Sequence, residues 1–577
     1  MNGGLRIAQV LKSQGIKWLF TLSGGHIAPI FVEAKKAGIR VVDTRHEVNA
    51  VFAADAVARI TGKPGVAAVT AGPGLTNTIT AVKNAQLAQS PVLILGGAAA
   101  TILKGRGSLQ DIDQMSLMRP HVKYAVSVTR VNDFIPEVEK ALQISQEGVP
   151  GPVFVECPVD LLYDESIVRD WYPKSTKKNP SFTERLTDWY IGYHLNRMFR
   201  SGRQVVPSAA FSLTTQNSVS SRQIKKVKQA IAASSRPVMV IGSQATLLAD
   251  QVGKWKGIIE KLGIPVYLSG MARGLLGPSH PLQMRHKRKE ALRSADLVIL
   301  VGVPSDFRLD YGRQVPGKSI LIGVNRSRRD LLLNRSPDIG ILHDPFTFFA
   351  ELDKENTCAK MDKDWLDTLR KRDDQREMEI NEQAQITSGE GINPLALFRT
   401  LDPLLSDDAV LVADGGDFVA TSSYTLRPRN PLTWLDPGAF GTLGVGGGFA
   451  LGAKLAKPQA EVWLIWGDGS SAYSLAEIDT FTRHGLPVIA LIGNDAAWMQ
   501  IQRDQVTFLQ DDCASTLAYS DYHLVSSGYG GNGVKVTSLQ EFEQAVKLAR
   551  AAVADGKSFV INAILAKSDF RKGSLSM

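Results

Sequence analysis

Residues 460–498 read AEVWLIWGDGSSAYSLAEIDTFTRHGLPVIALIGNDAAW, two apolar runs that each end in an oxygen-bearing side chain, Asp468 after the first and Asn494 after the second. A carboxylate, an amide carbonyl and a nearby backbone carbonyl make a half-shell of hard oxygens that suits Mg²⁺ or Ca²⁺ and suits zinc poorly. The other coordination positions fall to water or phosphate, so the pair points to a divalent cation holding a diphosphate. EVWLIW reads as a buried strand, Gly467-Asp468-Gly469 as a tight turn, SLAEIDTFTRHG as a helix and LPVIALIG as the next parallel strand. Asp468 and Asn494 then project from the carboxyl ends of neighbouring strands, where open α/β sheets bind ligands. A helix starting at Ser470 would add free N–H groups for anionic oxygens.

A second chemical group is Glu47 in DTRHEVNAVFAADAVARITG, at the junction of a strand and a helix. Taken alone it reads as a helix-start carboxylate meeting the macrodipole. GYGGNG, 528–533, fits the dinucleotide pattern GxGxxG but is followed by the strand VKVTS where that fingerprint demands a helix, so it reads as a loop.

The elements that must position these groups follow from a chain of 577 residues, too long for one hydrophobic core. Apolar content of 44% and charged content of 21% are globular values. Three distant cysteines, Cys157, Cys358 and Cys513, form no CxxC and fit a reducing compartment. The net charge of +9 comes from scattered basic residues, which reads as a solvated surface or steering of phosphorylated small molecules and not as a nucleic-acid footprint. No stretch reaches the roughly 18 unbroken apolar residues of a membrane span, and the first residues read as an amphipathic helix without a signal peptide's apolar core.

Along the chain, KWLFTL, RVVDTRH, GVAAVTAG, SPVLILGG and GPVFVECP alternate with helical periodicity over the first block, 1–170. A second block, 222–355, has RPVMVIGS, GIPVYLSG, ADLVILVG and SILIGVN, and a third, 390–577, has AVLVADGG, EVWLIWGD, LPVIALIGN and SFVINAIL. Between them lie linkers at 171–221 and 356–389, the latter read as an exposed charged helix. In the former, Leu186, Trp189, Tyr190, Tyr193 and Phe199 are expected to share one side of a helix that packs on a domain or meets a membrane surface. The fold class is α/β, three doubly wound parallel-sheet domains.

Gly467-Asp468-Gly469 followed after twenty-four residues by Asn494 resembles the signature of thiamine-diphosphate-dependent enzymes. In that family the Asp, the Asn and a carbonyl two residues later coordinate the metal, which implies Asp468, Asn494 and Ala496 as ligands of Mg²⁺. The family usually has a second Asn just before the ligand, and here that place is Gly493. RHE before an Ala-rich helix resembles the family's activating carboxylate. Glu47 is therefore expected to hydrogen-bond the cofactor's aminopyrimidine and favour loss of the thiazolium C2 proton, work that needs a partly desolvated carboxyl. TAGPGLTNTITAVKNAQLAQSPVLILGG looks like the loop under the pyrimidine ring, bringing Gly72, Pro73 and Asn77 to the cofactor, and GSLQDIDQ like the active-site loop with Gln110. Gly416, Asp417 and GAFGTLGVGGGFALGAK look like clamping segments. They carry Gly441 and put Leu443 in the place of the residue that bends the cofactor; Gly467, Gly469 and Ser470 complete the expected contacts. The resemblance names the blocks pyrimidine-binding, central and diphosphate-binding. It implies a homodimer or homotetramer in which first and third domains of different subunits build each site.

Simple 2-keto acid decarboxylases place an Asp where this chain has Gly25 and add an adjacent His pair, which none of the nine histidines forms. Acetolactate synthases put a Trp nine residues after the metal Asn, where this chain has Arg503. They also close a strand of an FAD-binding central domain with an acid, where LIGVN ends in Asn325. FAD is thereby disfavoured, with an ADP-like or vestigial site as the alternatives. VVDTRHE, LDPGAFGTLGVG and SDFRKGS most resemble the eukaryotic acetolactate synthase-like proteins that act as 2-hydroxyacyl-CoA lyases. That resemblance implies a step of fatty acid α-oxidation: cleavage of the C1–C2 bond of a 2-hydroxy fatty acyl-CoA to a shortened aldehyde and formyl-CoA. The alternatives are an acetolactate synthase-like carboligase on 2-keto acids with FAD, and a non-catalytic scaffold subunit. His26, Gln110 and Trp498 are candidates for proton transfer, and Lys567, Arg571 and Lys572 for a lid over CoA phosphates. Those relatives carry an N-terminal anchor and reside in the endoplasmic reticulum. The expectation here is a chain starting where the anchor would have ended, with membrane contact only through that missing anchor and a cytoplasmic location otherwise.

Overall fold

The structure is a computed structural model that describes residues 2–172, 181–200, 206–210, 218–386 and 390–572. The chain divides into two compact units, residues 1–58 with 63–214 and residues 59–62 with 215–577.

The first unit is built on a parallel sheet of six strands: β1 (Trp18–Thr21), β2 (Arg40–Asp43), β3 (Gly65–Val69), β4 (Val92–Ala98), β5 (Ala125–Ser127) and β6 (Val153–Pro158), in the order β2-β1-β3-β4-β6-β5. β3, β4 and β6 are buried at every position, which is why they read as unbroken apolar runs and not as alternating ones. Phe134, Ile135, Val138, Leu142 and the helix Gly3–Ser13 cover one face with Ile7, Val10 and Leu11.

The second unit holds two further parallel sheets. One comprises β7 (Pro237–Ile241), β8 (Val266–Leu268), β9 (Gln283–Met284), β10 (Leu297–Val301), β11 (Ile320–Asn325) and β12 (Ile339–Leu342), ordered β12-β11-β10-β7-β8-β9. This is the order of a doubly wound dinucleotide fold, reversing between β7 and β10. The other comprises β13 (Val410–Ala413), β14 (Trp434–Leu435), β15 (Val462–Gly467), β16 (Ile489–Asn494), β17 (Asn532–Val536) and β18 (Phe559–Ile564), ordered β14-β13-β15-β16-β18-β17. Numbered within itself, this third sheet repeats the wiring of the first.

The three doubly wound parallel sheets match the expected fold class. Four strands escape the sequence reading, β5, β9, β12 and β14, and each lies at a sheet edge with only two to four residues. With one neighbour and so few residues, such strands lack the long apolar run that announces a central strand. The charged run expected as an exposed linker forms the helix Lys363–Ala384, but Trp365, Leu369 and Ile380 are buried. Their spacing keeps them on one face, with Trp365 and Leu369 in the core of the central sheet.

A second correction concerns the helix Phe182–Phe199. Ile191, Leu195, Met198 and Phe199 pack on the core, whereas Leu186, Trp189, Tyr190 and Tyr193 are exposed. Phe199 thus belongs to the opposite side from the other four aromatic and aliphatic residues. The decoy at 528–533 bridges the end of the helix Tyr522–Gly528 and β17, without a following helix. Among the described residues no helix is long and apolar enough to cross a membrane.

Candidate active site

In the first unit the sheet order reverses between β1 and β3, and the candidate residues follow the carboxyl ends of β1 to β4. Glu47 opens the helix Glu47–Thr61 directly after β2 and is 7% exposed. Its Oε2 accepts a hydrogen bond from Asn77 Nδ2 at 3.1 Å. A Cβ added to Gly74 would lie 3.5 Å from its Oε1, so the turn Pro73–Thr76 closes over the carboxylate. Gly72 sits before that turn at φ +59°, a conformation glycine adopts without strain. A side chain there would meet the Gln110 carbonyl at 2.6 Å, so Gln110, itself at φ +62°, lies against the Gly72–Pro73 turn.

His26 stands two residues before the helix Ala28–Lys36, with Nδ1 3.3 Å from Thr70 Oγ1 at the end of β3. Burial lowers its pKa, which keeps the imidazole neutral near neutral pH. Beneath these residues runs a network that sequence reasoning missed. Gln114, 2% exposed, accepts from Gly72 N–H at 3.1 Å and donates to the Gly97 carbonyl at 2.9 Å and to Glu156 Oε1 at 3.1 Å. Glu156 is fully buried and also receives Ser127 Oγ and Lys104 Nζ, each at 2.5 Å.

In the third sheet the order reverses between β13 and β15. β15 and β16 pair in parallel with Gly467 opposite Gly493, so Asp468 and Asn494 leave adjacent strands side by side, as the opening motif predicts. Asp468 is 3% exposed, accepts from Gly469 N–H at 2.8 Å and Ala497 N–H at 3.2 Å, and is pushed up to about 6 by burial. Asn494 is fully buried. Its Nδ2 donates to Asn562 Oδ1 at 3.2 Å and the Ser520 carbonyl at 3.3 Å, which turns Oδ1 to the other side. Ala496 takes φ +51°, and its carbonyl accepts from Leu517 N–H at 2.7 Å, leaving one lone pair.

Asp495, pushed up to about 7 by burial and then by Asp468 and Asp417, brings another carboxyl group close to Asp468. The crowding of buried carboxylates is what a divalent cation would relieve, and one carboxylate with two neutral oxygens is a donor set that fits Mg²⁺. Among the described residues no cluster of three His, Cys, Asp or Glu side chains forms a different metal site.

Packing accounts for Gly469 and Gly493. A Cβ on Gly469 would lie 2.4 Å from the ring of Trp498, and one on Gly493 would lie 2.4 Å from the ring of Phe418. The place where the family usually has Asn is therefore filled from the other side by Phe418. Ser470 behaves differently from expectation: only the turn Asp468–Ser471 is helical there, and the longer helix, Glu477–His484, begins seven residues after Ser470. Ser470 Oγ instead exchanges hydrogen bonds with Gly467 N–H and carbonyl at 3.1 and 3.2 Å, closing the turn on itself.

Gly416, at φ +108°, leads into the helix Asp417–Thr425. Asp417 is held by Arg503 through a two-pronged pair at 2.8 and 3.1 Å, and Arg503 also donates to the Ser568 carbonyl. Leu443 packs against Gly415, and Gly441 ends the turn Gly438–Phe440. The segment 444–446 is pinned by Asp414, unnoticed in the sequence, whose oxygens accept from Gly444 N–H, Gly446 N–H and Trp466 Nε1 at 2.8 to 3.0 Å. Burial pushes Asp414 up to about 7. Of the tail residues, Arg571 lies over the Tyr424 ring, whereas Lys567 and Lys572 line a groove of about 1080 Å³ with Arg503 and Gln502.

At the reversal point of the central sheet, Gln244 is 5% exposed and bridges Asn325 Oδ1 at 2.8 Å to Arg326 N–H at 3.0 Å. A Cβ on Gly302 would meet Gln244 Cβ at 2.5 Å, so this residue packs directly on the glycine that follows β10.

The first and third sheets with one wiring, a carboxylate poised at a strand-helix junction and a hard-oxygen half-shell beside a reversal point together define the thiamine-diphosphate class of enzymes. Comparison agrees: the N-terminal TPP binding domain of thiamine pyrophosphate enzymes matches residues 1–117, their central domain 224–352 and their C-terminal TPP binding domain 414–563. The chain belongs to the thiamine pyrophosphate enzyme family. It is 48% identical to 2-hydroxyacyl-CoA lyase 2 of Danio rerio, covering all of this chain and 93% of that relative, and 47% identical to 2-hydroxyacyl-CoA lyase 2 of Homo sapiens, covering all of this chain and 92% of that relative. It is 31% identical to the acetolactate synthase large subunit IlvG of Mycobacterium tuberculosis, over 98% of this chain and 96% of that protein.

Proposed function

We propose that this protein is a thiamine-diphosphate-dependent carbon-carbon lyase that cleaves the C1–C2 bond of a 2-hydroxyacyl-CoA, releasing an aldehyde one carbon shorter and formyl-CoA. The observation that carries the reading is the 44% to 49% identity to 2-hydroxyacyl-CoA lyases over the whole chain, against 31% to a synthase. When bound, the cofactor supplies the nucleophilic carbon and the electron sink. Asp468, the amide oxygen of Asn494 and the carbonyl of Ala496 would hold Mg²⁺, with Gly467, Gly469 and Ser470 beside the diphosphate. Glu47 would share a proton with the pyrimidine ring of the cofactor, its carboxylate kept in place by Asn77. The neutral imidazole of His26 and the amide of Gln110 are the first unit's groups for moving or orienting a proton on the substrate, and Trp498 on Gly469 is that of the second. A homo-oligomer whose subunits share each site, as the family resemblance implies, is part of the proposal.

The carboligase reading is disfavoured by two features: Arg503, paired to Asp417 where a synthase has Trp, and the neutral Asn325, held by Gln244, where the FAD-binding domains have an acid. Turnover of a 2-hydroxyacyl-CoA by purified protein with thiamine diphosphate and Mg²⁺, beside Glu47→Gln, tests the proposal. Aldehyde from the parent, and a loss of 10²-fold or more in the variant, is the expected outcome for a proton-transfer group. Acetolactate from pyruvate without aldehyde would overturn it, and inactivity on both would favour the scaffold.

A further inference from the structure

The helix Phe182–Phe199 carries two apolar faces. At about 100° per residue, Phe182, Leu186, Trp189, Tyr190 and Tyr193 fall within an arc of roughly 100°. Ile191, Leu195 and Met198, which pack on the first unit's core, lie on the other side. The outer stripe is bare: Phe182 is 81% exposed, Trp189 65%, Tyr193 57%, Leu186 54% and Tyr190 47%. The helix is nonetheless fixed in place, because His194 Nε2 lies 2.8 Å from Thr101 Oγ1, which donates to the buried Asp160 at 2.6 Å.

Charge is sorted by side as well. Arg197 lies within the arc of the stripe, and the exposed Arg200 caps the same end. The helix's two carboxylates, Glu184 and Asp188, lie toward the packed side. Counting roughly 150–250 Å² for a fully exposed aromatic, the stripe presents about 600 Å², at the upper limit for a lone patch. That falls short of the roughly 800 Å² per partner of a stable protein interface. A rigid helix with Phe, Leu, Trp and Tyr on one side, arginines at its end and no carboxylate facing outward fits a lipid surface, aromatic rings at headgroup depth and guanidinium groups on lipid phosphates.

We infer that this helix docks the protein on the surface of an anionic membrane, lying in the interface plane without crossing it. The inference is independent of the reaction proposed above.

The test is flotation of the full chain with vesicles of phosphatidylcholine alone and of phosphatidylcholine with about one-third phosphatidylserine. It is run beside Leu186→Gln/Trp189→Gln/Tyr193→Gln, a variant confined to exposed positions and checked for an unchanged melting temperature. The expected result is binding to the anionic vesicles that weakens with added salt and drops about tenfold or more in the triple variant, with Arg197→Glu giving an intermediate loss. Equal binding by parent and triple variant, or no binding by the parent, would overturn the inference. So would a vesicle-free self-association, seen by sedimentation, that the triple variant abolishes, since a second copy would then cover the stripe.

Discussion

Gly493 offers the sharpest test of how the metal site is built. Replacing it by Ala puts a Cβ 2.4, 2.5 and 2.7 Å from Cγ, Cδ1 and Cδ2 of Phe418. Carbon atoms in contact settle near 3.5–4.0 Å, so the ring would have to withdraw by about 1 Å. It has nowhere to go: Phe418 is 4% exposed and its ring is stacked 4.5 Å from that of Phe398, which is fully buried. Overpacking of this kind costs about 1–3 kcal/mol, and the short contacts to ring carbons place Gly493→Ala at about 2–3 kcal/mol. Gly493→Asn, which introduces the family's usual residue, should destabilise more. Phe418→Ala alone should cost about 3–5 kcal/mol by leaving a cavity, but in that background Gly493→Ala should be nearly neutral, within about 0.5 kcal/mol. Urea unfolding of the four proteins, followed by fluorescence, gives the cycle. Because Gly493 pairs with Gly467, each preceding a proposed metal ligand, Gly493→Ala should also raise the Mg²⁺ concentration needed for half-maximal activity. A Gly493→Ala protein as stable as its parent, with unchanged Mg²⁺ dependence, would refute the packing argument.

Three other outcomes follow from the same geometry. Asp468, raised to about 6, must be ionised to bind a cation, so Mg²⁺ affinity should fall as pH drops through about 6; Mg²⁺ titrations at about pH 5 and 7.5 measure it. Asp414, raised from 3.8 to about 7, holds its proton more tightly folded than unfolded. Unfolding free energy should therefore decline as pH rises across that window, by roughly 4 kcal/mol, and denaturant melts of Asp414→Asn should show a flatter profile. Gln114→Leu strands Gly72 N–H and one oxygen of Glu156, which should cost about 2–4 kcal/mol and raise the thiamine diphosphate concentration needed for half-saturation, read from melting and cofactor titration.

What the sequence made legible was whatever is local or periodic. Central strands announced themselves as apolar runs because both faces are buried, and Asp468 and Asn494 followed because each ends such a run. The reason for Gly493 lay out of sight, since its partner, Phe418, comes from a helix 75 residues earlier. Gln114, Asp414 and Asn562 were missed for a similar cause. Each is an ordinary polar residue in sequence, and only the fold shows that it satisfies backbone groups of the Gly72, Gly444–Gly446 and Ser520 segments. The start of a helix at Ser470 was misread because a serine after glycine looks like a cap, whereas its hydroxyl bonds back within the turn. For the helix Phe182–Phe199, aromatic spacing grouped Leu186, Trp189, Tyr190 and Tyr193 but wrongly added Phe199 and did not show which face packs, because both sides are apolar.

The separation of Glu47 from Asp468 along the chain has a consequence for biosynthesis. The first sheet has all its strands once β6 ends at residue 158, whereas the third cannot begin before β13 at 410. At ribosomal rates of about 5–20 residues per second, the interval is roughly 10–50 s. The carboxylate's half of the site can thus be finished while the metal's half is still being synthesised, and parallel sheets, with their distant pairings, fold slowly. On the proposed reading a cofactor held by both halves arrives too late to guide the first fold and can stabilise only the finished protein, so thiamine shortage should act on turnover of the finished subunits and leave the yield of the first folded sheet untouched.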